Sequence, residues 1–183
     1  QMVPPNTLIL RENRYGIGYS RESIINNFLA NSAATHLLFF DTDILPIETH
    51  GIKTLIDDTL IDPSKYIVSG IYYNSLYSGL NAWKGEVALK YQDIKNNQNP
   101  LLEVDKIGMG YCIIKKELFH ILNMEPRPLF NYKIMEGNIM ESEDFTFLKM
   151  LAAKYNIKPC IDTRVTAQHI KRCKVNIDGG VQF

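Results

Sequence analysis

The stretch HLLFFDTD, residues 36–43, constrains the chain more than any other. It runs apolar residues without a break into two carboxylates spaced one residue apart. An unbroken apolar run reads as a strand covered on both sides, and that calls for helices above and below a sheet. Charge inside such a strand is costly, because an ionised carboxylate taken out of water without a partner shifts its pKa and neutralises. Asp41 and Asp43 are therefore expected where the strand surfaces. Side chains at i and i+2 of an extended chain share a side, so both acids are expected to face one cation or one polar ligand. The plainer alternative is a pair of solvated acids at a strand end, or a cap for a following turn.

The flanking segments repeat the layered pattern. NTLILREN reads as a short strand, and a loop with Gly16 and Gly18 leads to Ser20 as N-cap of a helix with Ile24, Ile25, Phe28 and Leu29 on one face. After HLLFF, a second helix carries Ile52, Leu55 and Ile56, and YIVSGI is the next buried strand. This alternation predicts an α/β sandwich with a mostly parallel central sheet and helices on both faces. At 183 residues and 45% hydrophobic content, residues 1–183 are expected to form one domain with a substantial core.

Composition removes several function classes. The 20 basic and 20 acidic side chains cancel, so no overall charge argues for nucleic acid or an anionic membrane surface. Cys112, Cys160 and Cys173 are odd in number and match no zinc spacing, as expected of reduced thiols in a cytoplasmic protein. No apolar run approaches the roughly 20 residues that span a bilayer, and no leader pattern is present.

Beyond Ile71 the rhythm changes to YYNSLYSGLNAWKG, rich in aromatic, Asn, Ser and Gly residues, then to an expected strand EVALKYQ and a polar KNNQNP. LLEVDKI and YCII read as strands flanking the Gly108 to Gly110 turn, and KKELFHIL as a short helix. Ser142 opens a helix lined by Phe145, Leu148, Leu151, Ala152 and Tyr155, and PCIDTRVTAQHI is the last strand region.

Four motifs in this order, DTDI, GMGYCIIKKELF, ESEDFTFL and TAQHI, resemble those of the GT-A glycosyltransferases, in particular the short family 2-like members of viruses and microbes. The likeness covers roughly residues 20–170. That family ordinarily places a strand and helix ahead of the D-x-D to cradle the nucleotide base. Here only residues 1–19 precede the expected helix, so that unit is expected to be reduced to NTLILREN or to lie partly outside the sequence.

The resemblance implies a GT-A fold, a nucleotide-diphosphate sugar as donor and a divalent cation, Mn²⁺ or Mg²⁺. These cations take oxygen ligands and keep positions open for phosphate. It implies Asp43 as direct ligand, Asp41 on the ribose or a metal-bound water, and His169 closing the metal site. Asp144 matches the family's general base, although acids in the first turn also suit the helix dipole. Gly108 and Gly110 would let the backbone approach donor and acceptor, or simply make a turn. Trp83, with Tyr72 and Tyr73, would stack on a sugar or else serve the core. Arg21 matches an arginine that contacts the nucleotide, or else is solvated on the first turn of its helix, and Lys171, Arg172 and Lys174 would meet the diphosphate or form a solvated basic run. The acceptor would be a glycan, lipid or protein hydroxyl, and a homo-oligomer is compatible.

Two rivals come from other classes. A haloacid-dehalogenase-like phosphohydrolase also sets D-x-D after a strand, with the first Asp as nucleophile, but usually continues Gly-Thr where this chain has Ile44-Leu45-Pro46. A non-catalytic carbohydrate-binding relative is the other.

Overall fold

A computed structural model describes residues 16–74, 79–134 and 140–170, together with the residue pairs 174–175 and 181–182. The strand expected in NTLILREN lies outside the described residues, as do Lys171, Arg172, Cys173 and the side chain of Lys174.

The chain opens with α1 (Ile17–Ala30), β1 (His36–Phe40), β2 (Ile44–Pro46), α2 (Gly51–Ile61) and β3 (Ile67–Asn74). Short elements follow: β4 (Gly79–Leu80), β5 (Ala82–Lys84), β6 (Val87–Ala88), α3 (Tyr91–Ile94), β7 (Leu101–Glu103) and β8 (Lys106–Ile107). Then come β9 (Tyr111–Lys115), α4 (Lys116–Ile121), β10 (Lys133–Ile134), β11 (Met140–Glu141), α5 (Glu143–Tyr155) and β12 (Cys160–His169).

A seven-stranded sheet has the central order β1-β9-β3-β12-β2, with β4 added to β3 and β7 to β12. The expected α/β class holds, but the mostly parallel sheet does not. Among the described residues of this sheet, only β3 and β12 pair in parallel; every other pair is antiparallel. An insertion accounts for two of the antiparallel pairs, and β2, β4 and β7 add antiparallel edges of their own. β1 and β3 run the same way, as a β-α-β path requires, yet β9 slots between them and opposes both. An alternation in sequence fixes strand direction and is silent about neighbours.

Helices cover both faces, and the alternation of β9 shows how. Cys112 and Ile114 join a core with Ile25 and Phe28 of α1, Leu118 and Phe119 of α4, and Phe147, Leu148 and Leu151 of α5. Tyr111 and Ile113 point the other way, into a core with Ile52 and Leu55 of α2. β3 follows the same rule, with Ile67 and Ile71 on one side and Val68 and Tyr72 on the other. β1 sits at an end of the central order: Leu37 and Phe39 are buried in the first core, Leu38 is half-buried against the second, and Phe40 is 41% exposed.

Three local expectations change. α1 begins at Ile17 with Gly16 as N-cap, and Ser20 falls in its first turn, where its N–H already donates to the Gly16 carbonyl. EVALKYQ is not one strand. Val87–Ala88 pairs with β5, then the Lys90 N–H donates to the Asp93 carboxylate and turns the chain into α3. LLEVDKI breaks at Asp105, whose carboxylate accepts from the Gly85 N–H and Lys158, so β7 and β8 enter different sheets.

Candidate functional site

β1, β3 and β12 share one direction, so their C-terminal ends lie on one edge of the sheet. These ends carry Asp41, Tyr72 and, as the last residue of β12, His169. β9 opposes them, so its start, the Gly108 to Gly110 turn, arrives at the same edge, with Tyr111 opposite Phe40. β2 opposes β12 and brings Asp43 beside His169. Ligands of open α/β sheets favour this edge, outside the carboxyl ends of the strands.

The two acids of DTD do not share one strand face. β1 ends at Phe40, and the Ile44 N–H donates to the Asp41 carbonyl at 3.1 Å, closing a turn over residues 41–44. The carboxylates take separate partners as a result. Asp43 Oδ2 lies 3.1 Å from His169 Nε2, and the Ile170 N–H donates to the Asp43 carbonyl at 2.7 Å. The edge of the Tyr72 ring meets the His169 ring at 5.7 Å. His169 Nδ1 is buried without a partner.

Asp41 instead faces the glycine turn. Its N–H donates to the Gly110 carbonyl at 2.8 Å. A methyl group on Gly110 would lie 2.7 Å from Asp41 Oδ2 and 3.0 Å from the Tyr72 hydroxyl, and one on Gly108 would lie 2.9 Å from that hydroxyl. A side chain at either position would have to push Asp41 or Tyr72 aside. Burial pushes the Asp41 carboxyl up, and Asp43 and Asp144 add to the rise against Arg21 and His169. Burial also raises the Tyr72 phenol, with Asp41 contributing.

Asp144 reaches the same turn from α5. Ser142 occupies the N-cap position, but its hydroxyl accepts no capping N–H and instead donates to Asp144 Oδ1. The Phe145 N–H donates to the same oxygen at 2.9 Å, and the Met109 N–H donates to Oδ2 at 3.4 Å. Two donors therefore fix Oδ1, while Oδ2 faces the turn. The first turn of α5 stays in place because Phe147, Leu148 and Leu151 are anchored in the core.

The neighbouring acid has another task. Glu143 Oε1 accepts from Arg21 Nη1 at 2.6 Å, with the two residues 4% and 6% exposed. The guanidinium lies 5.5 Å from the Phe39 ring centre and 5.6 Å from that of Phe130. Arg21, expected on the nucleotide, is instead the buried partner of Glu143. Burial pushes the Glu143 carboxyl up despite Arg21.

Trp83, expected to stack on a sugar, is 4% exposed and meets the Phe145 ring edge-on at 4.7 Å. It belongs to the layer that joins β5 to α5. Tyr72 is buried as well, whereas Tyr73 is exposed. Sequence reasoning missed Asn81, which is wholly buried and staples the site. Its carbonyl accepts from the Gly108 N–H at 2.9 Å, its Oδ1 from the Tyr72 N–H at 2.9 Å, and its Nδ2 donates to the Gly70 carbonyl at 3.1 Å. An Asn in a Gly-rich stretch signals a turn, and nothing local marks it as a bracket between strands.

Among the described residues, no three His, Cys, Asp or Glu side chains converge into a metal cage. Asp43 and His169 offer an oxygen and a nitrogen donor side by side. That donor pair fits a cation that takes few protein ligands and fills its remaining positions with phosphate and water.

No family model and no curated protein sequence matches the chain. Among solved structures, the crystal structure of A197 from STIV is similar, with a TM-score of 0.62 and 21% identity over 95% of this chain and 78% of that one. At this identity the likeness concerns the fold.

Proposed function

We propose that the chain is a glycosyltransferase that moves a sugar from a nucleotide-diphosphate donor to an acceptor hydroxyl of a glycan, lipid or protein. The observation that carries this reading is convergence. Asp41, the Asp43–His169 pair, the Gly108 to Gly110 turn and Asp144 come from four separate stretches and meet at one sheet edge.

Asp43 and His169 would hold Mn²⁺ or Mg²⁺. When bound, such a cation supplies Lewis-acid stabilisation of the leaving diphosphate. Asp144 takes the acceptor proton on Oδ2 as the acceptor oxygen bonds to the anomeric carbon. The bond from that carbon to the phosphate oxygen breaks, and its electron pair stays with the diphosphate. A base on the acceptor side suits one displacement with inversion. Ser142 and the Phe145 amide keep the carboxylate aimed during transfer.

The test is release of nucleoside diphosphate from nucleotide sugars with Mn²⁺, with and without acceptors, for wild type and Asp144→Asn. General-base catalysis contributes about 10²–10⁴-fold, so turnover should fall by that order while donor affinity holds. An Asn variant that keeps more than about a third of the rate would remove Asp144 from the base role. Release of inorganic phosphate from phosphomonoesters, without nucleoside diphosphate, would replace the transferase by a phosphohydrolase.

A further inference from the structure

A second cluster of charge lies where α2 packs on β12, away from the candidate site. β12 leaves its register with β3 between Asp162, opposite Gly70, and Thr166, opposite Ile71. Consecutive residues of β3 thus face non-consecutive residues of β12, and residues 163–165 loop out. Arg164 folds back from the loop. Its N–H donates to Asp162 Oδ1 at 2.8 Å, its Nε lies 3.0 Å from the same oxygen, and its Nη2 reaches Asp162 Oδ2 at 2.7 Å. The same Nη2 reaches Asp58 Oδ1 of α2 at 2.7 Å.

Two carboxylates therefore share one guanidinium. Asp162 is wholly buried and Asp58 is 6% exposed, while the Arg164 side chain is 51% exposed above them. Asp58 Oδ2 is buried and has no hydrogen-bond partner. An ionised Asp58 would leave that oxygen bare in a dry setting, which is expensive. A proton on it solves the problem, because the O–H then donates to Asp162. Other charged groups around the cluster already have partners or stand further off. Lys65, after α2, pairs with Glu103 of β7 at 3.6 Å, and Lys115 donates to the carbonyls of Thr59 and Pro63. Asp62 accepts from Ser64, and His36 faces the Thr59 hydroxyl.

We propose that Asp58 and Asp162 share a single proton that latches the looped-out segment of β12 onto α2. Loss of this proton loosens the distal half of β12, which ends at His169. The latch is independent of the reaction assigned to the site. Burial, with Asp162 beside it and Arg164 opposing, pushes the Asp58 carboxyl up to about 7. Burial also acts on Asp162, but hydrogen bonds from Arg164 and Asp58 hold it below the usual carboxylate range.

The sign follows from linkage. The unfolded chain loses the Asp58 proton near pH 4, about where free Asp titrates, whereas the folded chain keeps it to about pH 7. Stability from this group is complete at low pH, falls as pH rises across that window, and is flat above it. Asp162 has the opposite sign and acts only below the usual Asp range.

The experiment compares the full chain with Asp58→Asn, whose amide donates to Asp162 at every pH. Between pH 5 and pH 8 the melting temperature of wild type should fall by several degrees relative to the variant. Amides of residues 166–169 should lose hydrogen-exchange protection at pH 8, after correction for intrinsic rates, in wild type alone. Parallel melting curves, or equal protection in the two proteins at pH 8, would overturn the latch. If the variant does not fold, carbon-13 titration of the Asp58 carboxyl in wild type decides. A midpoint in the ordinary Asp range overturns the proposal, and one near neutrality supports it.

Discussion

Arg21→Met tests whether the arginine ahead of the D-x-D is a buried structural cation or a nucleotide contact. The substitution keeps an unbranched chain between Phe39 and Phe130 and removes the charge that faces Glu143 at 2.6 Å. Glu143 is 4% exposed, so its carboxylate is left buried without its cation. Stripping one partner from such a pair costs about 3–5 kcal/mol, a large share of the roughly 5–15 kcal/mol that holds a domain together. For a chain of this size each kcal/mol is worth roughly 2–4 °C, so the melting temperature should drop by about 6–20 °C.

Glu143 has an escape. Burial already pushes its carboxyl up, and the Tyr132 hydroxyl stays in reach, so in the variant it can take a proton, and the loss should shrink on acidification. Denaturant melts of wild type, Arg21→Met, Glu143→Gln and the double variant complete a cycle. The double variant removes both charges and should be far more stable than the sum of the single losses, with a coupling of about 2–3 kcal/mol. An Arg21→Met loss under about 1 kcal/mol, or additivity, would refute the buried-pair reasoning. So would a single variant of wild-type stability that no longer binds nucleoside diphosphate.

Gly110→Ala should cost about 1–3 kcal/mol by overpacking and weaken donor binding, since the new methyl meets Asp41 Oδ2 at 2.7 Å; chemical melts and calorimetry with nucleoside diphosphate check both. Asp43→Ala should abolish Mn²⁺-dependent binding of nucleoside diphosphate in a folded protein, and wild-type affinity in that variant would end the metal role. His169→Ala should weaken Mn²⁺ binding, since it removes the nitrogen donor beside Asp43, and wild-type affinity in calorimetry would make the histidine structural. Trp83→Ala should destabilise by about 3–5 kcal/mol, as a buried aromatic does, whereas a sugar-stacking role would instead raise the donor KM at unchanged stability.

Much of the frame was legible in the one-dimensional pattern. Apolar runs located β1, β3 and β9, helical periodicity located α1, α2 and α5, and carboxylates at the end of an apolar strand had to surface. All of these are local consequences of burial and side-chain period, so residues close in the chain suffice to read them. The glycines of GMG and the acids of ESED were also visible, as was a late histidine. Neighbourhood was not. The insertion of β9 between β1 and β3, with the antiparallel edges β2, β4 and β7, turned a sheet expected to be parallel into a mixed one, because hydrogen-bond partners are chosen across the fold. The same tertiary choice set the fate of individual side chains. Arg21, one turn into a helix, looks solvated or ligand-facing in sequence, yet Glu143 lies 122 positions away and claims it. Trp83 sits in a polar stretch but packs on Phe145, and Asn81 brackets a glycine turn 27 positions downstream. Which acid faces the glycine turn and which faces Arg21 in ESED follows from how α5 docks on the core, a long-range packing energy that no local spacing encodes.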